Sequence, residues 1–148
     1  MIQKLRISNF ALIEDLDLDL NTGFTVLTGE TGSGKSILLN AFALLLGERA
    51  HTNHVGPFGK KAIVEAQLNA SPNDQLFFSA NNLDYDQTIL VRREIVRDGK
   101  SRAFINDSPV ALAMLKTFSA AKLMIHSQYN TFELKSKVKQ LELYDLLS

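Results

Sequence analysis

The sequence contains no cysteine among its 148 residues. That excludes a disulfide framework and thiolate metal sites, and it fits a reducing cytosol. It also lacks a long apolar run. The longest, Ile37 to Leu46, is interrupted by Asn40 and is too short to cross a bilayer. No basic N-terminal region precedes an apolar core, so no secretory signal is expected. Net charge is absent as well, with 16 Lys and Arg against 16 Asp and Glu. A chain so balanced is not expected to grip nucleic acid strongly by itself. What remains is ordinary globular material, 45% hydrophobic and 22% charged, enough for one domain with a real core.

The most informative stretch is Gly29-Glu30-Thr31-Gly32-Ser33-Gly34-Lys35-Ser36. It satisfies G-x-x-x-x-G-K-[ST] at every fixed position. Phe24 to Thr28, apolar and β-branched, reads as a buried strand before it. Ile37 to Leu46 reads as a helix after it, packed on most sides and closed by Gly47. Strand, glycine-rich loop and helix is the context in which such a motif binds phosphate. The glycines let successive N–H groups turn inward, and the helix N-terminus adds its positive dipole end. Lys35 then reaches the β/γ-phosphates and the Ser36 hydroxyl ligates Mg²⁺. The expected nucleotide-binding set is Gly29, Glu30, Thr31, Gly32, Ser33, Gly34, Lys35, Ser36 and Ile37.

Upstream, two antiparallel strands are expected at about 2–8 and 13–20, the second alternating Asp15, Asp17 and Asp19 with Leu16, Leu18 and Leu20. Phe10 to Asp15 mimics a Walker B strand, four apolar residues followed by acids. Because it precedes the loop and its acids continue an alternating series, it reads as structural.

Downstream, residues 48–59 read as loop. His51 and His54 lack the cluster a metal site requires and read as solvated. Arg49 has two readings, a reach toward the phosphates or a cap on the helix C-terminus. Strands are expected at Ala62–Leu68 and Ile89–Val96, with a turn at Ser71–Asp74 and a polar stretch from Ser79 to Gln87. A hairpin follows with Asp98-Gly99 at its tip and Arg102–Ile105 returning. Arg92, Arg93, Arg97, Lys100 and Arg102 concentrate basic charge there. That concentration is read as a solvated face offset by Glu94 and Asp98, with a DNA or nucleotide contact as the alternative. Ser108 and Pro109 read as a helix start, with Val110, Met114 and Phe118 on one face. Lys122–His126 reads as a strand delivering Ser127 and Gln128 at its C-terminal end, where ligands gather in open α/β sheets. Gln128 is therefore either a ligand of Mg²⁺ or its water, or a plain loop residue. Leu134, Val138, Leu141, Tyr144 and Leu147 trace an amphipathic helix that stops without a cap, so the chain is expected to continue.

After Ser36, no four-residue apolar run ends in Asp or Glu, and no Ser-Gly-Gly signature occurs. Phosphate binding is encoded, but the hydrolytic half is not. A small stand-alone P-loop kinase and a non-hydrolysing nucleotide-sensing scaffold are the competing classes.

Taken together, Ile7–Ile13, Thr28–Ser36, Leu46–Ala50, Ser101–Asn106 and Ile125–Gln128 closely resemble the N-terminal part of the RecN family of bacterial DNA repair proteins, which is itself similar to the SMC proteins. The resemblance implies an α/β fold: a P-loop NTPase of the ABC/SMC head type, whose N-terminal lobe sets an antiparallel β subdomain beside the P-loop strand and helix. It implies residues 1–132 as that lobe and 133–148 as the start of a coiled-coil helix. It further implies an ATPase whose signature, Walker B and catalytic acid lie in a C-terminal lobe, with this piece inactive alone. ATP and Mg²⁺ are the implied cofactors, with Lys35 and Gln128 as catalytic-site residues and Ser36 and Gln128 at the metal. The implied partners are the C-terminal lobe, a second head that sandwiches ATP, and DNA at double-strand breaks, in the cytoplasm and nucleoid, with no membrane. Ser127 and Tyr129 depart from the Gly and His of many relatives. No basic residue directly follows Val55, which tells against a DNA role for that loop.

Overall fold

The computed structural model describes residues 1–20, 22–30 and 34–123. The expected strand end at His126, Ser127, Gln128 and the helix after Leu134 lie outside the described residues.

One antiparallel sheet dominates, built from β1 (Ile2–Phe10), β2 (Ile13–Asp19), β3 (Lys61–Asn69), β4 (Thr88–Val96), β5 (Ser101–Ile105) and β6 (Ser108–Val110) in the order β2-β1-β3-β4-β5-β6. The first hairpin is β1 (Ile2–Phe10) and β2 (Ile13–Asp19), close to the expected bounds. In β2 the alternation works as read, with Leu16 and Leu18 half-buried and Asp15, Asp17 and Asp19 exposed. Lys4 and Arg6 of β1 face Asp19 and Asp17 in register, and Lys4 Nζ lies 3.1 Å from Asp17. The Walker B mimic is therefore a hairpin: Ala11 turns with φ 50° and Glu14 and Asp15 point to solvent. β3 (Lys61–Asn69), β4 (Thr88–Val96) and β5 (Ser101–Ile105) continue the sheet, with Gly99 (φ 88°) in the expected tight turn.

Helices α1 (Lys35–Leu45) and α3 (Leu112–Lys122) cover one face, α1 against β3 and β4, α3 against β5. Leu5, Ile7, Val64, Leu68, Ile89, Val91, Ile95 and Ile105 point into that layer and are fully buried. Each contributes about 1.5–3 kcal/mol by leaving water.

Three expectations need correction. The turn at Ser71–Asp74 opens a helix, α2 (Pro72–Ala80). The Asp74 carboxylate accepts from the Ser71 N–H at 2.6 Å, and Pro72 supplies a fixed φ at the first helical position. Part of the stretch read as polar therefore belongs to α2, which buries Phe78 edge-on against Phe118 and Tyr85. Second, Ser108 and Pro109 do not begin a helix. Asn106 and Asp107 both take left-handed backbone (φ 46° and 61°), the geometry of a two-residue hairpin turn, so Ser108–Val110 returns as edge strand β6. The helix α3 starts later and buries Leu115, Phe118 and Ser119.

Third, Phe24–Thr28 is not a buried strand. It is exposed throughout, Phe24 at 94%. Among the described residues nothing pairs with its backbone, and a central strand is buried only where neighbours flank it. The helix after the loop is correspondingly packed on one side only, burying Ala41, Leu44 and Leu45 while Leu39 stays exposed.

Gly47 ends α1 as expected, with φ 88°. A Cβ there would meet Lys116 Cβ at 2.8 Å and its Cα at 3.1 Å. Gly47→Ala is accordingly expected to cost about 2–3 kcal/mol, left-handed strain added to the clash. A thermal midpoint equal to that of the unmutated chain would show that α1 and α3 do not meet this closely.

Candidate functional site

Lys35 and Ser36 of the phosphate-loop motif open α1, and Gly34 is the residue before it. Gly34 occupies the residue before the helix with φ 95°, and a Cβ built on it meets no atom within 4 Å. Among the described residues, nothing crowds that side of Gly34. Among the described residues no side chain caps the helix there, and its first turn carries no acid. Leu38 N–H closes the first helical bond onto the Gly34 carbonyl at 3.0 Å, leaving the earliest amides free to face an anion. The Lys35 ammonium folds back to the Gly29 carbonyl, joining the two ends of the motif. Ser36 is exposed and Ile37 half-buried. Glu30 is exposed beside Gly29, while Thr31, Gly32 and Ser33 lie outside the described residues, as does Gln128. An uncapped helix start, an open glycine and a lysine on the loop fit a phosphate bearing a divalent ion.

The C-terminal end of α1 holds a residue that sequence reasoning misplaced. Arg93 has no exposed surface. Its Nη1 donates to the Leu44 carbonyl at 2.9 Å and the Glu48 carbonyl at 3.0 Å, and its Nη2 to Ser101 Oγ at 3.2 Å. Capping of α1 therefore falls to Arg93, whereas Arg49 is exposed. Burial lowers the Arg93 guanidinium from its ordinary value, yet an arginine stays charged. The signal was available in the pattern. Ile89, Val91 and Ile95 share the parity of Arg93, so alternation alone puts this charge inside.

The rest of the basic hairpin keeps much of its expected solvated character, with Arg97, Lys100 and Arg102 exposed and Glu94 and Asp98 offsetting charge, while Arg92 and Arg97 also bond within the fold. Arg92 stacks over Phe104 at 4.5 Å and pairs with Asp107 at 2.7 Å and Glu94 at 3.4 Å. Arg97 donates to the carbonyls of Gly56 and Gly59. Lys100 pairs with Asp98 at the tip. The loop that Arg97 holds is fixed from below by Asn9, buried with φ 48°, whose amide donates to Lys61 O and accepts from Phe58 N–H, both at 2.9 Å. His54 is packed against Phe10, and burial, with His51 and Arg93 nearby, lowers it from its ordinary value. Among the described residues no group of three or more His, Cys, Asp or Glu could hold a metal ion.

Beside α3 stands a second buried charge. Asp74 accepts from Ser71 Oγ at 2.9 Å and from the Lys122 ammonium, which also donates to Ser71 Oγ at 3.0 Å. The end of α3 is thereby tied to the start of α2.

Residues 4–147 match the family model described as an AAA domain. The chain is 38% identical over 147 residues to the DNA repair protein RecN of Vibrio cholerae, covering 98% of this chain and 26% of that relative. It is 37% identical over 148 residues to the RecN of Halalkalibacterium halodurans, with the same coverage. The chain thus spans about a quarter of the length of the curated relatives it matches. Among solved structures it resembles an SMC ATPase, studied for ATP-driven dimerization and DNA-stimulated activation, at a TM-score of 0.67 and 19% identity over 99% of both chains. The fold is therefore that of an SMC-type ATPase head, and these likenesses do not favour a stand-alone kinase. No helix among the described residues is long and apolar enough to cross a membrane.

Proposed function

The chain belongs to the AAA-domain family, with RecN proteins among its relatives, and from that premise we propose that it is the ATP-binding N-terminal lobe of a RecN-type ATPase head. One observation carries the reading: a complete phosphate-loop motif placed on the uncapped, acid-free start of α1, with Gly34 open and left-handed. In this reading the amides of Gly29 to Ile37 wrap the phosphates, Glu30, Thr31 and Ser33 supplying backbone between the glycines. Lys35 holds the β/γ-phosphates, and Ser36 and Gln128 hold the metal shell. Mg²⁺, when bound, neutralises phosphate charge that would otherwise repel a nucleophile. Residues 1–132 form the lobe and 133–148 begin a coiled-coil helix.

Hydrolysis is assigned to a complete head. It requires a positioned water, a carboxylate and donors on the far side of the γ-phosphate, and we assign these to a C-terminal lobe and a second head. The exposed Phe24, Val26 and Leu27 are where that lobe docks, completing a sheet around the loop. The assembled protein then works on DNA at double-strand breaks and in recombination, in the cytoplasm and on the nucleoid.

The test is turnover. Residues 1–148 are expected to bind ATP weakly and hydrolyse it at background rate, because losing even one preorganised charge-stabilising group costs about a hundredfold or more. Adding the separately expressed C-terminal lobe is expected to restore hydrolysis. Rapid, Lys35-dependent turnover by residues 1–148 alone would refute the split head and return Glu14 and Asp15 to consideration.

A further inference from the structure

α1 is fixed at one end. Its fully buried residues, Ala41, Leu44 and Leu45, all lie toward its C-terminal end, whereas toward the N-terminal end Ile37 and Leu38 are only half-buried against the core and Ser36, Leu39 and Asn40 are exposed. Gly47 presses on Lys116 just past that buried end. The turn that carries Lys35 and Ser36 is therefore held less firmly than the far end of the helix, and it moves with any tilt set there. Eleven residues make a rod of about 16 Å, so a tilt of about 4° at the clamp moves the loop by about 1 Å.

Arg93 is the polar part of that clamp. Its guanidinium is fully buried and has no carboxylate partner among the described residues. Its charge faces the Leu44 and Glu48 carbonyls instead, at the negative end of a helix with no basic residue in its own last turn. A planar fork bonded to two carbonyls and to Ser101 Oγ sets an orientation, which a flexible ammonium does not.

We propose that Arg93 is a positioning residue for nucleotide binding: by gripping the C-terminal end of α1 from β4, it sets where the phosphate loop at the other end points. The inference rests on reading that loop as an ATP site. It also links the loop to the β4–β5 hairpin through Ser101, a residue with no part in the motif.

The experiment titrates Mg-ATP into the intact protein as wild type, Arg93→Lys, Ser101→Ala and Lys35→Ala, alongside thermal unfolding and amide exchange. Arg93→Lys keeps the charge and loses the fork. It is expected to bind ATP about tenfold more weakly while folded, with faster exchange at Leu46, Gly47 and Glu48. Ser101→Ala, at an exposed strand end, is expected to shift affinity about two- to threefold in the same direction with its thermal midpoint nearly unchanged, and it decides the matter if Arg93→Lys does not fold. Lys35→Ala is the control for the site itself. Wild-type affinity in folded Arg93→Lys and in Ser101→Ala, with Lys35→Ala defective, would overturn the positioning role alone. Unchanged binding in Lys35→Ala would instead overturn the ATP reading and this inference with it.

Discussion

Lys35→Ala is expected to weaken ATP binding by about ten- to a hundredfold and to leave the fold standing. The size follows from removing a charge-assisted contact to phosphate, worth about 1.5–3 kcal/mol. The intact fold follows from how little Lys35 does for the core. Its ammonium reaches the Gly29 carbonyl at the open mouth of the loop, and neither group belongs to the buried layer. Substitutions at such positions change stability by about 0.5 kcal/mol or less. Calorimetric titration with Mg-ATP and a thermal melt on the same sample separate the two effects. Unaltered affinity would remove phosphate binding from this loop, and a large drop in midpoint would make Lys35 a structural residue.

The largest expected loss of stability lies elsewhere, at Asp74. The residue is 7% exposed, and its carboxylate takes hydrogen bonds from the Ser71 amide, the Ser71 hydroxyl and Lys122. Asp74→Ala leaves the ammonium of Lys122 largely buried without its counter-charge and removes the acceptor for the first turn of α2. Breaking such a pair from one side costs about 3 kcal/mol or more. In a domain of this size that is about 10 °C in thermal midpoint. Asp74→Ala combined with Lys122→Met is expected to recover part of the loss, since no buried charge remains. The pH dependence carries a definite sign. Burial works to raise Asp74, but Lys122 and Ser71 outweigh it and hold the group below its ordinary value of 3.8. The folded state thus keeps its proton off more readily than the unfolded chain. The resulting stability is fully present above about pH 4 and is lost as pH falls through the lower folded value. Acid melts should show a shallower slope for Asp74→Ala than for wild type; parallel slopes would place the carboxylate in solvent.

These residues also mark what the sequence makes legible. The phosphate loop can be read because its chemistry demands particular residues at fixed spacing, and β2 because a one-sided strand must alternate. The start of α2 carried a readable signal, serine followed three residues later by aspartate with proline between, but Ser71-Pro-Asn-Asp serves a turn as well. The helix is short and leaves Leu76 77% exposed, so no apolar stripe announced it. At Ser108-Pro109 the deciding fact was the backbone of Asn106 and Asp107, two residues tolerant of left-handed φ. Arg93 shows the limit of composition. Five basic residues close together resemble a solvated patch until register assigns one to the core. Phe24–Thr28 shows another limit, for apolar content can suggest a strand while burial depends on neighbours, and among the described residues none pairs with it.

The acid-bearing strand β2 has a consequence at the rim of the sheet. Antiparallel sheets end in unpaired peptide groups, which invite a passing strand to add on and seed aggregation. Here one rim carries Asp15, Asp17 and Asp19 in a row, only partly offset by Lys4, and an incoming strand would meet net negative charge. The opposite rim is the three-residue β6, whose middle position, Pro109, offers no N–H at all. Among the described residues, both rims of the sheet therefore discourage further β pairing, and with it the edge-to-edge growth that exposed strands invite.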